Sequence, residues 1–142
     1  MASESSGERL IAPSPAGKAR HYKELQIWQK AMALAKMIYA LTDKFPERER
    51  FGLTSQIRRA AVSVPSNIAE GQARHGTREF LQFLSHASGS LAELETQLLL
   101  SEELGFCQQA DVLNVNACIS ELQKMIAAIR KTLALQPLAT SH

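Results

Sequence analysis

From Tyr22 to Thr42 the apolar residues Trp28, Ala31, Met32, Ala35, Ile38 and Tyr39 recur at intervals of three and four, with Leu25 one turn earlier. That period puts them along one side of an α-helix. The helix is expected to stop before Phe45-Pro46, because proline disfavours α conformation in the preceding residue and has no N–H to give, leaving PERER as the connection. A second helix is predicted from about Phe51 to Ala73 on the stripe Leu53, Ile57, Ala60, Ala61, Val64 and Ile68, with Gly71 or Gly76 available to end it. Thr77 reads as the N-cap of a third helix, with Glu79 placed where the helix dipole favours a carboxylate. Its seam, Phe80, Leu84, Ala87, Leu91, Leu94 and Leu98, has the four-three rhythm of bundle packing, and Gly105 closes it. A fourth helix, from about Gln109 to Leu133, carries Val115, Ile119, Leu122, Ile126, Ile129 and Leu133 in the same rhythm, with Arg130 and Lys131 suiting its C-terminal end.

Short connections between consecutive helices favour antiparallel neighbours, so the expected fold is an all-α, up-down-up-down four-helix bundle over residues 21–134. Pro65 inside the second helix frees the carbonyl of Ala61 and predicts a kink rather than a break, since the apolar stripe keeps its phase on both sides. If helices two and three form a hairpin about His75, residues whose numbers sum to about 150 lie level. Pro65 then meets the small residues Ser85-His86-Ala87-Ser88-Gly89-Ser90, and the hydroxyl of Ser85 or Ser88 is expected to reach the Ala61 carbonyl. Arg58 and Arg59 come level with Glu93 and Glu95, and ion pairs between them are one expectation.

With 142 residues the chain fits one domain. No stretch approaches the roughly 20 apolar residues of a membrane span. The first 20 residues, MASESSGERLIAPSPAGKAR, lack the order of a signal peptide and read as a disordered leader, and residues 135–142 read as a flexible tail. A cytoplasmic location is the resulting expectation. Cys107 and Cys118 have neither the spacing of a metal site nor that of a disulfide framework, and read as small packing or surface thiols.

Net charge, only +2, conceals a division along the chain. Residues 18–78 hold twelve Lys or Arg and five acids, whereas residues 79–123 hold seven acids and no Lys or Arg. Three readings fit this pattern. A basic face on helices one and two binds nucleic-acid phosphates through Lys23, Lys30, Arg74 and Arg78. The basic half of one subunit meets the acidic half of the next, in a contact that closes into a ring. The two halves neutralise each other inside one bundle.

Catalytic signatures do not appear. His21, His75, His86 and His142 are dispersed, with none in an HExxH pattern, and His86 reads as a surface or packing residue. The carboxylates lack the ExxH pattern of di-iron bundles, and there is neither a phosphate-binding glycine loop nor a nucleophile elbow. A protein without enzymatic activity or cofactor is expected.

Three segments, LQIWQKA, FPERERFGLTSQIRRAAVSVPSNIAEG and FLSHASGSLAELETQLLLSEELG, closely resemble the four-helix-bundle proteins encoded by intervening sequences of bacterial 23S ribosomal RNA genes. The resemblance runs from about Tyr22 to Leu133, and QIRRAAVSVPSNIAEG is its most specific stretch. That group is similar in turn to the accessory variability determinant of diversity-generating retroelements. Both associations imply a homopentamer, and the second implies binding of nucleic acid and of a protein partner through a basic surface. Arg58, Arg59, Ser63, Asn67 and Glu70 match the family's polar positions on the second helix, and Glu93 and Glu95 match those on the third. The roles expected for Arg58, Arg59, Asn67, Glu70, Glu93 and Glu95 are structural or in subunit contacts.

Overall fold

All four helices expected from the periodicity form in the computed structural model, which describes residues 21–135. They are α1 (Gln26–Thr42), α2 (Leu53–Ala73), α3 (Thr77–Glu103) and α4 (Gln109–Ala134), with short 3-10 turns at Tyr22–Glu24 and Glu47–Glu49. The leader expected over residues 1–20, and the tail beyond Leu135, lie outside the described residues. Contacts run α1 to α2, α2 to α3, α3 to α4 and α4 back to α1. The helices thus stand in chain order around a square, up-down-up-down. One end carries the α1 N-terminus, the α2–α3 turn and the α4 C-terminus; the other carries the α1–α2 and α3–α4 connections.

The core is the apolar stripe of each helix turned inward. Ile57, Ala61, Val64 and Ile68 of α2, Leu84, Leu91, Leu94 and Leu98 of α3, and Ile119, Leu122 and Ile126 of α4 are almost fully buried. Each such leucine or isoleucine contributes roughly 1.5–3 kcal/mol by leaving water. The α1 stripe differs from expectation. Ile27, Ala31, Leu34, Ile38 and Leu41 fill the core, while Met32 and Tyr39 lie on the rim with 36% and 44% of their surface exposed. Both stripes share Ala31 and Ile38; what separates them is which helix flank points outward.

Helix boundaries follow from capping, with two departures. Neither Gly71 nor Gly76 ends α2, which runs past Gly71 to Ala73; the left-handed residue after it is His75, at φ 63°. Thr77 is the first residue of α3, with Gly76 in the cap position and no side-chain cap bond. At the far end of α3, Gly105 (φ 83°) donates to the Glu102 carbonyl and Phe106 N–H to that of Ser101, the six-to-one bond that closes a helix around a left-handed glycine. Gln108 and Asp111 form a reciprocal capping box that starts α4.

Gly71 is a packing residue. A Cβ built there would lie 2.7 Å from Cβ of Phe83 and 3.2 Å from Cδ1 of Phe80, so α2 and α3 approach closely because this position has no side chain. The helix is continuous through Pro65, which is buried. The hairpin register is shifted by three from the expected value: Ser63 meets Ser90, a sum of 153. Pro65 is therefore level with Ser88. Neither Ser85 nor Ser88 is bonded to the Ala61 carbonyl as expected, because both hydroxyls turn the other way, toward α4.

Two substitutions test these assignments. His75→Gly removes a left-handed penalty and is expected to stabilise the fold by about 1 kcal/mol, seen as a Tm rise of a few degrees in thermal unfolding. Gly71→Ala forces the Phe83 and Phe80 side chains or the helix backbones apart, and is expected to cost about 1–3 kcal/mol in urea unfolding despite alanine's better helix propensity.

Candidate functional site

Four polar contacts, one at each junction of the square, fix which flank of each helix faces which neighbour. Between α1 and α2, Arg58 donates Nε to Thr42 Oγ1 at 2.8 Å and Nη2 to Asp43 Oδ1 at 2.9 Å and to the Tyr39 carbonyl at 3.4 Å. Its guanidinium lies 4.4 Å from the centroid of the Tyr39 ring. Thr42 is bonded in turn to the Ile38 carbonyl. The planar arginine fork thereby ties the last turn of α1 to the first half of α2.

Between α2 and α3, Ser63 Oγ and Ser90 Oγ share a hydrogen bond of 2.7 Å, and Asn67 donates Nδ2 to the Ser63 carbonyl and hydroxyl. Between α3 and α4, Ser88 donates its hydroxyl to Gln123 Oε1, Gln123 Nε2 returns a bond to the Ser88 carbonyl, and Arg130 donates to Ser85 Oγ. Between α4 and α1, Lys30 Nζ pairs with Glu121 Oε1 at 2.9 Å. That hydrogen bond raises the Lys30 pKa.

These contacts revise the roles expected from sequence. Arg58 pairs with Asp43, not with Glu93 or Glu95, because its side chain leaves α2 on the α1 side. Arg59, Glu93 and Glu95 are exposed and make no ion pair among the described residues; Glu93 accepts a bond from Gln97 instead. Asn67 and the Glu70–Arg74 pair, at 3.0 Å, act within α2.

Of the four nominated phosphate-binding residues, Lys23, Arg74 and Arg78 gather at the end of the bundle that holds the α2–α3 turn, where Arg130 and Lys131 of α4 also arrive. Lys23 and Arg78 are exposed and unpaired among the described residues. Arg74 is engaged by Glu70 and lies 5.1 Å from the Phe83 ring centroid, against which His86 also packs edge-on. Lys30 does not join this group: it sits further along α1, held by Glu121.

The charge division survives folding. Among the described residues Lys30–Glu121 is the single ion pair between the basic and acidic segments, the others being Arg50–Glu47, Arg58–Asp43 and Arg74–Glu70 within the first half. Expectation of internal neutralisation is thus met at one point only, and Glu95 and Glu103 remain exposed.

No three His, Cys, Asp or Glu among the described residues are placed to hold a metal ion. Cys107 and Cys118 are free, half-buried and packed against the core. Burial pushes both thiols up, with Asp111 and Glu102 adding to the effect at Cys107, so neither is poised as a thiolate. None of the described helices is long and apolar enough to cross a membrane.

What sequence reasoning missed is the outward apolar surface. Met32 and Tyr39 on α1 and Val62 on α2 are exposed, as are Leu99 on α3 and Leu113 on α4. The signal available was the competing α1 stripe Ile27-Ala31-Leu34-Ile38-Leu41, whose regular four-three spacing leaves Met32 and Tyr39 on the flank.

Residues 23–128 match the family of 23S rRNA-intervening sequence proteins. Among solved structures, a protein of unknown function from the S23 ribosomal protein family of Bacteroides thetaiotaomicron, determined by crystallography at 1.70 Å, is similar with a TM-score of 0.65. The two share 23% identity over 72% of this chain and 96% of the other, a likeness of fold. Among curated proteins there is no match. The match along most of the chain, carried by the helices described above, places this protein in the family of 23S rRNA-intervening sequence proteins.

Proposed function

We propose that this protein is a cytoplasmic, non-enzymatic assembly unit that works as a homo-oligomer, and, following the resemblance drawn from its sequence, as a homopentamer. The observation that carries this reading is the charge division left unneutralised within one bundle. Acids on α3 and bases on α1 and α2 face outward on different sides, an arrangement that favours contact between subunits over contact within one. Side chains at the helix junctions are taken up in holding the bundle, and burial pushes both described thiols up, away from the thiolate a nucleophile needs, which supports a binding rather than a catalytic role.

A second reading, in which the assembly holds RNA or DNA, is favoured by one observation: Lys23, Arg74, Arg78, Arg130 and Lys131 share one end of the bundle. Subunits arranged with their axes parallel would present these groups as a basic ring face. Without nucleic acid, the same assembly would act as a scaffold for a protein partner.

Light scattering and sedimentation at micromolar concentration are expected to give an oligomer; a monomer throughout would reject the reading. For the second, binding of labelled structured RNA and duplex DNA is expected to weaken steeply with salt. Neutralising Lys23, Arg78 and Lys131 together is expected to lower the slope of log K against log salt by about one for each phosphate no longer neutralised, while Lys30→Gln leaves it unchanged. Absence of binding at low salt by an intact oligomer would remove nucleic acid and leave the scaffold.

A further inference from the structure

Tyr39 is an exposed aromatic that the fold holds still. Arg58 stacks on its ring, and the arginine is itself fixed by Thr42, Asp43 and the Tyr39 carbonyl. The same flank of α1 carries Met32 two turns earlier, and one turn beyond Arg58 the matching flank of α2 carries Val62. All three side chains remain between 36% and 44% exposed. An ordered tyrosine and arginine beside methionine and valine is the composition of an interface centre, where anchors already immobilised lose little entropy on binding. Exposed and unpaired among the described residues around it are Lys36, between Met32 and Tyr39 on α1, and Arg59, one turn before Val62 on α2.

On the opposite side of the square is a second apolar surface. Ser88 and Gln123 mark the α3–α4 junction. Along the same flank of α3 come Ala92, Glu95 and Leu99, and α4 brings Leu113 to that level. Leu99 and Leu113 are 46% and 61% exposed, and Glu95 and Glu103 stand one turn to either side of Leu99, exposed and unpaired among the described residues. Beside the Arg58–Asp43 pair, the unpaired charges flanking the first surface are basic; those flanking Leu99 on its opposite are acidic.

We propose that the Met32–Tyr39–Val62 surface of one copy seats against the Leu99–Leu113 surface of a second copy. This rests on the oligomeric reading above and assigns its faces. Charge complementarity selects the occupant: Lys36 and Arg59 would oppose Glu95 and Glu103, whereas either surface packed on its own copy would set like charges together. Since the surfaces lie on opposite sides of the bundle, every copy uses both. The contact is heterologous, and it propagates until rotation closes a ring.

The test uses full-length chains in which Val62→Cys and Leu99→Cys are made separately, mixed, allowed to exchange subunits and oxidised. A disulfide-linked pair is expected in the mixture and not in either variant alone, with wild-type protein as the control for Cys107 and Cys118. Lys36→Glu is expected to weaken association several-fold and Glu95→Lys, added to it, to restore association, with helicity by circular dichroism unchanged in all. Links forming within each variant instead of between them would overturn the proposal in favour of two-fold contacts. So would a stable oligomer without the mixed link, which would place the contact on other faces. Monomers in light scattering of the wild-type protein would reject the oligomeric reading itself.

Discussion

The close approach of α2 and α3 is the constraint on which the rest of the bundle depends. Gly71 admits Phe83 and Phe80 to the α2 backbone, and Ser63 and Ser90 meet at 2.7 Å a few turns away. Between these points a larger residue would hold the helices apart. At this spacing Ile57, Val64 and Ile68 share one buried core with Leu84, Leu91 and Leu94. The serine and asparagine contacts add direction to that packing. A sliding hairpin would part Ser63 from Ser90, so that link favours one register among several that hydrophobic packing alone would tolerate.

Helix existence and level along the axis were legible in the sequence, because both depend on spacing alone. The four-three rhythm of Leu84, Ala87, Leu91, Leu94 and Leu98 can be satisfied only by a helix with one buried flank, and a tight turn near His75 sets the partners of α2 to within one helical turn. Rotation about each helix axis was harder to read. Arg58 and Glu95 are indeed nearly level, yet one faces α1 and the other the α3–α4 side, so proximity in register gave no ion pair. Ser85 and Ser88 were misplaced for the same reason. A step of one residue turns a side chain by about 100°, enough to change its neighbour without changing its height.

Chain reversal after α2 rests on a histidine in the left-handed region, which no glycine rule would have selected. The tight turn needed one such residue between Arg74 and Gly76, and the sequence offered flexible glycines on both sides of it. Candidate binding groups were only partly legible. Clustering of Lys23, Arg74 and Arg78 follows from topology, since a hairpin returns the α2 C-terminus to the level of the α1 N-terminus. That Lys30 would be withdrawn by Glu121 does not, because it depends on how the fourth helix lands beside the first.

The α1–α4 junction also has a temporal meaning. Lys30 and Glu121 are brought together by a contact that skips the two helices between them, whereas every other side of the square joins neighbours in sequence. During synthesis α1, α2 and α3 are made before α4, and at about 5–20 residues per second the wait for α4 lasts seconds. Over that interval the inward flanks of Ile27, Ala31 and Leu34 have no fourth wall. A sheaf of α1, α2 and α3 alone would be an open trough, and α4 acts as its lid.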